Sequence, residues 1–245
     1  MNGLAFLMMP LVLIAAAPAS LAGAFETDVL PTAAGDLKIT FIGHASLMFE
    51  FGGKVIYSDP VGQYGDFSSL PKADVILAAH EHGDHFDLET IRKISKSGTK
   101  VVMTPLCAAK LSGGIVLKNG ESATVEGIRI EAVPAYNLVH MRSPGMPYHP
   151  KGVGNGYVLT LGDKRVYVAG DTENIPEMKA LGRIDVAFLP MNLPYTMTPE
   201  MVANAARMVK PKILYPYHTT DTDTSKLLPL LKDEKGIEIR IRRMP

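Results

Sequence analysis

HEHGDHFD, residues 80–87, places three histidines and three acidic residues within eight positions. The stretch directly follows DVILAA (74–79), whose apolar run predicts a buried strand. Imidazole and carboxylate groups at the end of a buried strand are costly if they lack partners. A bound cation removes that cost, because neutral imidazole and carboxylate groups are ligands for Zn²⁺ and related metals. The stretch therefore predicts a metal site at the end of a strand.

The spacing HxHxDH within this stretch fits two neighbouring ions. In an extended chain alternate side chains point the same way, so His80 and His82 can bind one ion. Gly83 permits a sharp turn, after which Asp84 and His85 point towards a second position. The alternative is a polar loop in which an aspartate caps the following helix. We prefer the metal site, since this spacing is far more specific than a single histidine.

Two further ligand candidates follow predicted strands later in the chain. Asp171 lies in YVAGDTEN (167–174), and His218 lies in YPYHTTD (215–221). Taken alone, the first could be a turn aspartate and the second a core or surface histidine. In α/β folds the loops at strand ends carry the chemistry, so we expect both residues to join the motif at 80–85.

Strand and helix patterns alternate along the whole chain. LKITFI, SLMFEF and KVIYSD predict three adjacent strands, with FGGK as a hairpin turn. DLETIRKISKSG predicts an amphipathic helix that Gly98 ends, and TPEMVANAARMVK predicts another helix. The pattern as a whole predicts mixed sheets with helices packed outside them.

Composition excludes some classes of function. Of 245 residues, 47% are hydrophobic and 20% are charged, which is typical of a globular protein. Lys and Arg total 25, as do Asp and Glu, so the net charge is zero and we expect no nucleic-acid partner. The basic tail IRIRRMP is interpreted as a solvated chain end. The single cysteine, Cys107, is expected to be buried and inert, which leaves a metal site built without thiolates.

The N-terminus has the pattern of a secretory signal peptide. Residues 4–17 are apolar, and Ala22-Gly23-Ala24 is a small-x-small cleavage site. We therefore predict a signal peptide over residues 1–24 and one domain over 25–245. The mature protein would be periplasmic or secreted, with no stable membrane insertion. The first 25 residues contain no Lys or Arg, so an uncleaved anchor or a misplaced start codon is the alternative.

Three motifs together resemble the metallo-β-lactamase superfamily: HEHGDH (80–85), AGDT (169–172) and PYHT (216–219). GHAS (43–46) and SDP (58–60) resemble one branch, which includes the ascorbate-6-phosphate lactonase-like proteins and N-acyl-phosphatidylethanolamine phospholipase D. The resemblance implies a four-layer αββα sandwich with a two-metal site at one edge.

The resemblance also implies a role for each site residue. His80 and His82 would bind the first ion, Asp84, His85 and His218 the second, and Asp171 would bridge them. Asp59 would orient a ligand histidine, and His44 would do the same or contact substrate.

One ligand of the family is missing. The family usually supplies a third histidine to the first ion where this chain has PAYN, with Asn137 near the expected position. His140 and His149 follow, and either could replace it. We favour His149, because PYHPKGVGNG is a loop entering the next strand. If neither does, the first ion binds weakly.

The implied function is a metal-dependent hydrolase with two divalent ions, most simply Zn²⁺, with Mn²⁺ or Fe²⁺ as alternatives. A metal-bound hydroxide, steered by Asp84, would cleave an ester, lactone or phosphodiester of a small molecule or lipid. The segment 138–152 and the loop MNLPYTM, with Tyr195, would overhang the site, and Arg142 and Lys151 could bind an anionic group. A non-catalytic or single-metal binding protein is the alternative, and β-lactam hydrolysis is less favoured.

Overall fold

Two seven-stranded sheets face each other in the computed structural model of the protein, which describes residues 25–244. The first sheet contains, in spatial order, β1 (Glu26–Thr32), β2 (Gly35–Gly43), β3 (Ser46–Phe51), β4 (Lys54–Ser58), β5 (Val75–Ala78), β6 (Lys100–Met103) and β7 (Ile115–Val116). Strands β1 to β4 pair antiparallel, and β4 to β7 pair parallel. The three adjacent strands predicted from residues 37–59 are confirmed as β2, β3 and β4.

The second sheet is formed by the later part of the chain. Its strands are β8 (Ser122–Val125), β9 (Ile128–Ala135), β12 (Gly154–Leu161), β13 (Lys164–Val168), β14 (Val186–Pro190), β15 (Ile213–Tyr217) and β16 (Glu238–Ile239), in the spatial order β16-β15-β14-β13-β12-β9-β8. A small hairpin, β10 (Met141–Ser143) and β11 (Met146–Pro147), lies between β9 and β12 in the chain. Strands β13 to β16 are parallel to one another.

Helices cover the outer face of each sheet. Short helices α1 (Leu88–Ile94) and α2 (Pro105–Ala108) pack on the first sheet, and α3 (Pro199–Val209) and α4 (Leu227–Leu230) pack on the second. A separate apolar cluster fills the space between the sheets, where Phe188 stacks on Tyr215 at 5.0 Å between ring centroids. The prediction of a single-domain αββα sandwich is confirmed.

The end of α1 was predicted wrongly. The sequence pattern extended the helix to Gly98, but it ends at Ile94 because Ser95 adopts an extended backbone. The Ser95 hydroxyl instead donates to the carbonyl of Ile91, at 2.6 Å, and occupies an acceptor at the helix end.

The basic tail is not a solvated end, so that interpretation is also wrong. Arg242 Nη2 binds both carboxylate oxygens of Asp28 on β1, each at 2.8 Å. Arg240 Nη1 lies 3.1 Å from the same carboxylate, which also accepts a hydrogen bond from the Tyr215 hydroxyl at 2.5 Å. The tail is therefore fixed across the first strand, because one aspartate offers acceptors to two guanidinium groups.

The other predictions on organisation concern Cys107, membrane insertion and the N-terminus. Cys107 is buried as expected, and burial raises the pKa of its thiol to about 11. No helix among residues 25–244 is long and apolar enough to cross a membrane. The predicted signal peptide, residues 1–24, lies outside the described part of the chain.

Candidate metal centre

The site residues follow the carboxyl ends of strands that run in the same direction within each sheet. In the first sheet, β2 ends before His44, β4 before Asp59 and β5 before His80. In the second sheet, β13 ends before Asp171 and β15 before His218. Aligned strand ends meet at one edge of an α/β fold, which is why residues far apart in the sequence converge here.

Three histidines form the first ligand group. The ligand atoms of His80, His82 and His149 all lie within 4.8 Å of one another. His80 Nε2 lies 3.0 Å from His82 Nδ1, so the two rings present nitrogen atoms to the same point. A small cavity of about 20 Å³ adjoins this group and is also lined by Asp171. Such a volume holds one water-sized sphere, which leaves room for an ion.

The second ligand group contains Asp84, His85 and His218, with His44 beside them, and its ligand atoms again lie within 4.8 Å of one another. The Nε2 atoms of His85 and His218 are 3.1 Å apart. Asp84 Oδ2 lies 3.8 Å from His85 Nε2 and 3.7 Å from His218 Nε2. Two nitrogen atoms this close can share one proton or bind one cation, and a carboxylate beside them suits the cation.

Asp171 lies between the two groups. Its Oδ1 is 3.2 Å from His85 Nε2 and 3.4 Å from His218 Nε2. Its Oδ2 is 3.3 Å from His149 Nε2 and 4.0 Å from His80 Nε2. Oδ1 is buried and has no hydrogen-bond partner of suitable geometry among residues 25–244, which is costly for a carboxylate oxygen without another partner. A cation on each side would satisfy both oxygens, so the residues present fit a two-metal centre.

Electrostatics favour the protonation states that metal ligands need at four of these residues: His80, His149, Asp84 and Asp171. Burial lowers the pKa of His80 and of His149, which favours neutral imidazoles. Burial alone would raise the pKa of Asp171, but the imidazoles of His218 and His85 hold it well below its usual value. Burial likewise opposes ionisation of Asp84, yet the nearby imidazole of His218 and the hydrogen bond from His44 lower its pKa. Both carboxylates are therefore ionised at neutral pH.

Asn137 does not lie in a ligand group, and His149 stands where a third histidine is needed. Asn137 Oδ1 accepts hydrogen bonds from the backbone N–H and from Nδ1 of His149, each at 2.8 Å. The other candidate, His140, is absent from the ligand groups of the described residues, and its Nδ1 lies 2.7 Å from Glu173 Oε1. The structure thus brings His149, and not His140, to the first position.

Asp59 contacts the ring nitrogen of His85 that does not face the ligand group. It is fully buried, its Oδ2 lies 2.9 Å from His85 Nδ1, and its Oδ1 accepts the backbone N–H of Ala79 at 2.8 Å. Burial alone would lower the pKa of His85, but Asp171 and Asp59 together raise it well above its usual value. Asp59 therefore keeps Nδ1 protonated, and an ion at the second position would displace the proton from Nε2, which faces the ligand group.

His44 is packed against the second ligand group. Its Nε2 lies 3.3 Å from Asp84 Oδ2, and its ring stacks on Tyr64 with 4.3 Å between centroids. Its backbone adopts the left-handed region, with φ 51°, as do Asp59 and His218 with φ 45° and 48°. Non-glycine residues in this region cluster at functional sites, where surrounding contacts hold them.

An open cleft of about 360 Å³ leads to the centre. Predicted residues at its wall include Arg142 and Tyr195, whose ring packs edge-on against Tyr148 at 5.0 Å. Lys151, also predicted to bind an anionic group, is not among the residues that line this cleft, and its ammonium group binds Glu177 at 2.7 Å. Tyr148 and Asn192 belong to the two segments that were predicted to overhang the site, whereas the lining residues Tyr64 and Thr220 were not predicted. The only sequence signal for them is nearness to a motif, of Tyr64 to SDP and of Thr220 to PYHT.

Comparison with known proteins agrees with this geometry. Residues 38–218 match the Beta-lactamase superfamily domain. A UPF0173 metal-dependent hydrolase from Pelotomaculum thermopropionicum is 31% identical over 193 residues, which covers 74% of this chain and 84% of that protein.

Two solved structures are similar over most of the chain. The crystal structure of a proposed metal-dependent hydrolase from Parabacteroides distasonis is 50% identical, with a TM-score of 0.86, and covers 90% of this chain and 100% of that one. Igni18, a metallo hydrolase from Ignicoccus hospitalis, is 26% identical with a TM-score of 0.71, and covers 85% of this chain and 95% of that one.

The chain therefore belongs to the UPF0173 metal-dependent hydrolases of the metallo-β-lactamase superfamily. The expectation of an enzyme, rather than a binding protein without turnover, is confirmed at this level.

Proposed function

We propose that this enzyme is a two-metal, zinc-dependent hydrolase that cleaves an ester, lactone or phosphodiester bond in a small molecule or lipid. The proposal rests on the position of Asp171: its two carboxylate oxygens each face a separate group of ligands. The first group offers three imidazoles and the second offers imidazoles and the carboxylate of Asp84, while Asp171 presents a carboxylate to both. This set contains no thiolate, and it suits zinc and, less closely, Mn²⁺ or Fe²⁺. His80, His82 and His149 would hold the first ion, and Asp84, His85 and His218 the second.

Bound divalent ions would supply an acidified water and polarise the attacked oxygen. Asp84 is placed to orient that water. The side chain of Asp84 is 39% exposed and lines the cleft, whereas that of Asp171 is buried. Because its lowered pKa makes it a weak base, Asp84 would accept a hydrogen bond and align the water.

The cleft favours a substrate with an anionic group and apolar parts. Arg142 contributes a guanidinium group, which lies 5.9 Å from the centroid of the Tyr148 ring. Tyr64, Tyr148 and Tyr195 contribute aromatic surface. A guanidinium group binds phosphate or carboxylate through paired hydrogen bonds, while aromatic rings bury apolar groups. These features support a phosphodiester or a lactone that carries an acidic group as the substrate. None of the cleft residues that the structure describes favours a β-lactam.

Turnover by metal-free and zinc-reconstituted protein tests the proposal. The substrates would be bis(p-nitrophenyl) phosphate, p-nitrophenyl acetate and a lactone that carries a phosphate. We expect zinc to restore hydrolysis of at least one of them, and His82→Ala to abolish it. Glu177→Gln, at a surface ion pair with Lys151, is the matched control and should retain activity. Equal rates with and without metal would refute the proposal.

Export of the mature chain is a further part of the proposal. It rests on the apolar segment 4–17 and the Ala22-Gly23-Ala24 site. N-terminal sequencing of the protein from the native host should give Phe25 as the first residue. An N-terminus at Met1 in a cytosolic fraction would contradict it.

A further inference from the structure

Glu173 is a fully buried glutamate two residues after Asp171, and it is absent from the ligand groups found among the described residues. Both of its carboxylate oxygens are bound by donors from one short segment, residues 137–140. Oε2 accepts the backbone N–H groups of Leu138 at 2.8 Å and Val139 at 2.7 Å. Oε1 accepts the backbone N–H of His140 at 2.7 Å and lies 2.7 Å from its Nδ1. A buried carboxylate with this many donors fixes the segment firmly.

The same carboxylate also sets the orientation of the Asn137 amide. Asn137 Nδ2 donates to Glu173 Oε1 at 3.1 Å and to the carbonyl of Tyr195 at 2.9 Å. An amide has one donor end and one acceptor end, so these two acceptors turn Oδ1 towards His149.

The orientation of the amide decides the tautomer of His149. Asn137 Oδ1 can only accept, so His149 Nδ1, at 2.8 Å, must carry the proton. His149 Nε2 then keeps its lone pair and faces the first position, 3.3 Å from Asp171 Oδ2. Histidines that bind metal commonly donate their second N–H to an acceptor that fixes the ring, and here the acceptor is an amide.

We propose that Glu173 is a positioning residue for the first metal. It orients Asn137, and Asn137 fixes the ring and tautomer of His149. This inference rests on the proposed two-metal site. Asn137, near the position of the family's usual histidine, then has a role of its own. Together with Glu173 it allows His149, twelve residues later, to complete the site.

The test is Glu173→Gln, whose NH₂ group must take the place of one carboxylate oxygen. It then faces either the N–H groups of Leu138 and Val139 or the donors of His140 and Asn137, and in both cases the segment that carries Asn137 loses acceptors. Metal-free protein would be titrated with Co²⁺ in competition with a chromophoric chelator, and the absorption bands followed at each step. We expect the affinity of the first position to fall about 10–100-fold, with the second position unchanged. Glu177→Gln is the matched control, and both affinities should equal those of the wild type.

A double-variant cycle separates positioning from a general structural role. If Glu173 acts through Asn137, Glu173→Gln should add little to the loss caused by Asn137→Ala. The inference would be overturned if the losses of metal affinity in the two single variants added up in the double variant, or if Glu173→Gln weakened metal binding equally at both positions. If Glu173→Gln does not fold, Asn137→Ala decides alone, and a wild-type affinity at the first position would overturn the inference.

The outcomes also distinguish this inference from the proposed function. Two ions bound with unchanged affinities in Glu173→Gln would refute the role of Glu173 and leave the two-metal hydrolase standing. A wild-type protein that binds no ion at either position would refute both.

Discussion

Substituting Asp59 with asparagine should weaken the second metal position. Asp59 offers one oxygen to the Ala79 N–H and the other to His85 Nδ1. Asparagine has a single acceptor, so its NH₂ group must face one of these two donors. If it faces His85, the ring must move its proton to Nε2, the atom that faces the second ligand group.

The magnitude follows from the contacts that are lost. Loss of such an orienting partner lowers metal affinity about 10–100-fold, equivalent to about 1.4–2.8 kcal/mol. Asparagine tolerates the left-handed backbone of Asp59 (φ 45°), so the substitution adds little backbone strain.

Chelator competition on metal-free protein would give the affinity of each position. Asp74→Asn is the matched control, because Asp74 also accepts a backbone N–H, from Val55 at 2.9 Å, but is absent from the ligand groups of the described residues. The reasoning would be refuted if the Asp59→Asn protein had the same melting temperature as the control and an affinity for the second ion within about twofold of the wild-type value.

Three further predictions concern the tail, the thiol and the cleft. Asp28→Asn should lower the free energy of unfolding by about 2 kcal/mol at neutral pH, because Arg242 and Arg240 lose their carboxylate. Burial opposes ionisation of Asp28, but hydrogen bonds from Tyr215, Arg242 and Arg240 lower its pKa, so its contribution is complete above about pH 4 and declines below. In urea unfolding the gap between wild type and variant should narrow in acid, and a gap independent of pH would contradict this. Cys107, with its pKa raised to about 11, should react with a thiol reagent only after unfolding, and rapid labelling of the native protein would count against its burial. Arg142→Ala should raise KM for an anionic substrate about tenfold and leave a neutral ester unaffected, and equal effects on both would remove Arg142 from substrate binding.

The fold and the position of the site were largely predictable because they depend on local patterns. The apolar run at 74–79 followed by HEHGDHFD specifies a buried strand whose end carries polar groups, and the structure places β5 there. The glycines at 52 and 53 have φ values of 56° and 75°, and a two-residue hairpin turn between β3 and β4 requires such positive values at both positions. These signals lie within a few residues of the features that they specify.

The contacts that the sequence did not reveal join distant segments. The pairing of Asp28 with Arg242 spans 214 positions, so nothing in IRIRRMP distinguishes a bound tail from a solvated one. Similarly, GDTEN resembles an ordinary turn, and the role of Glu173 depends on donors 33 to 36 residues earlier. The choice between His140 and His149 also required the tertiary structure, because both follow Asn137 in one loop and differ in which partner each ring meets.

Metal content of the purified mature protein is the most direct test of the two-metal centre. It would be measured by atomic emission on wild type, His149→Ala and the matched control His140→Ala. The account predicts two ions per chain in wild type and in His140→Ala, and one in His149→Ala, because His149 belongs to the first ligand group. One ion or none in wild type, with no change in His149→Ala, would contradict it.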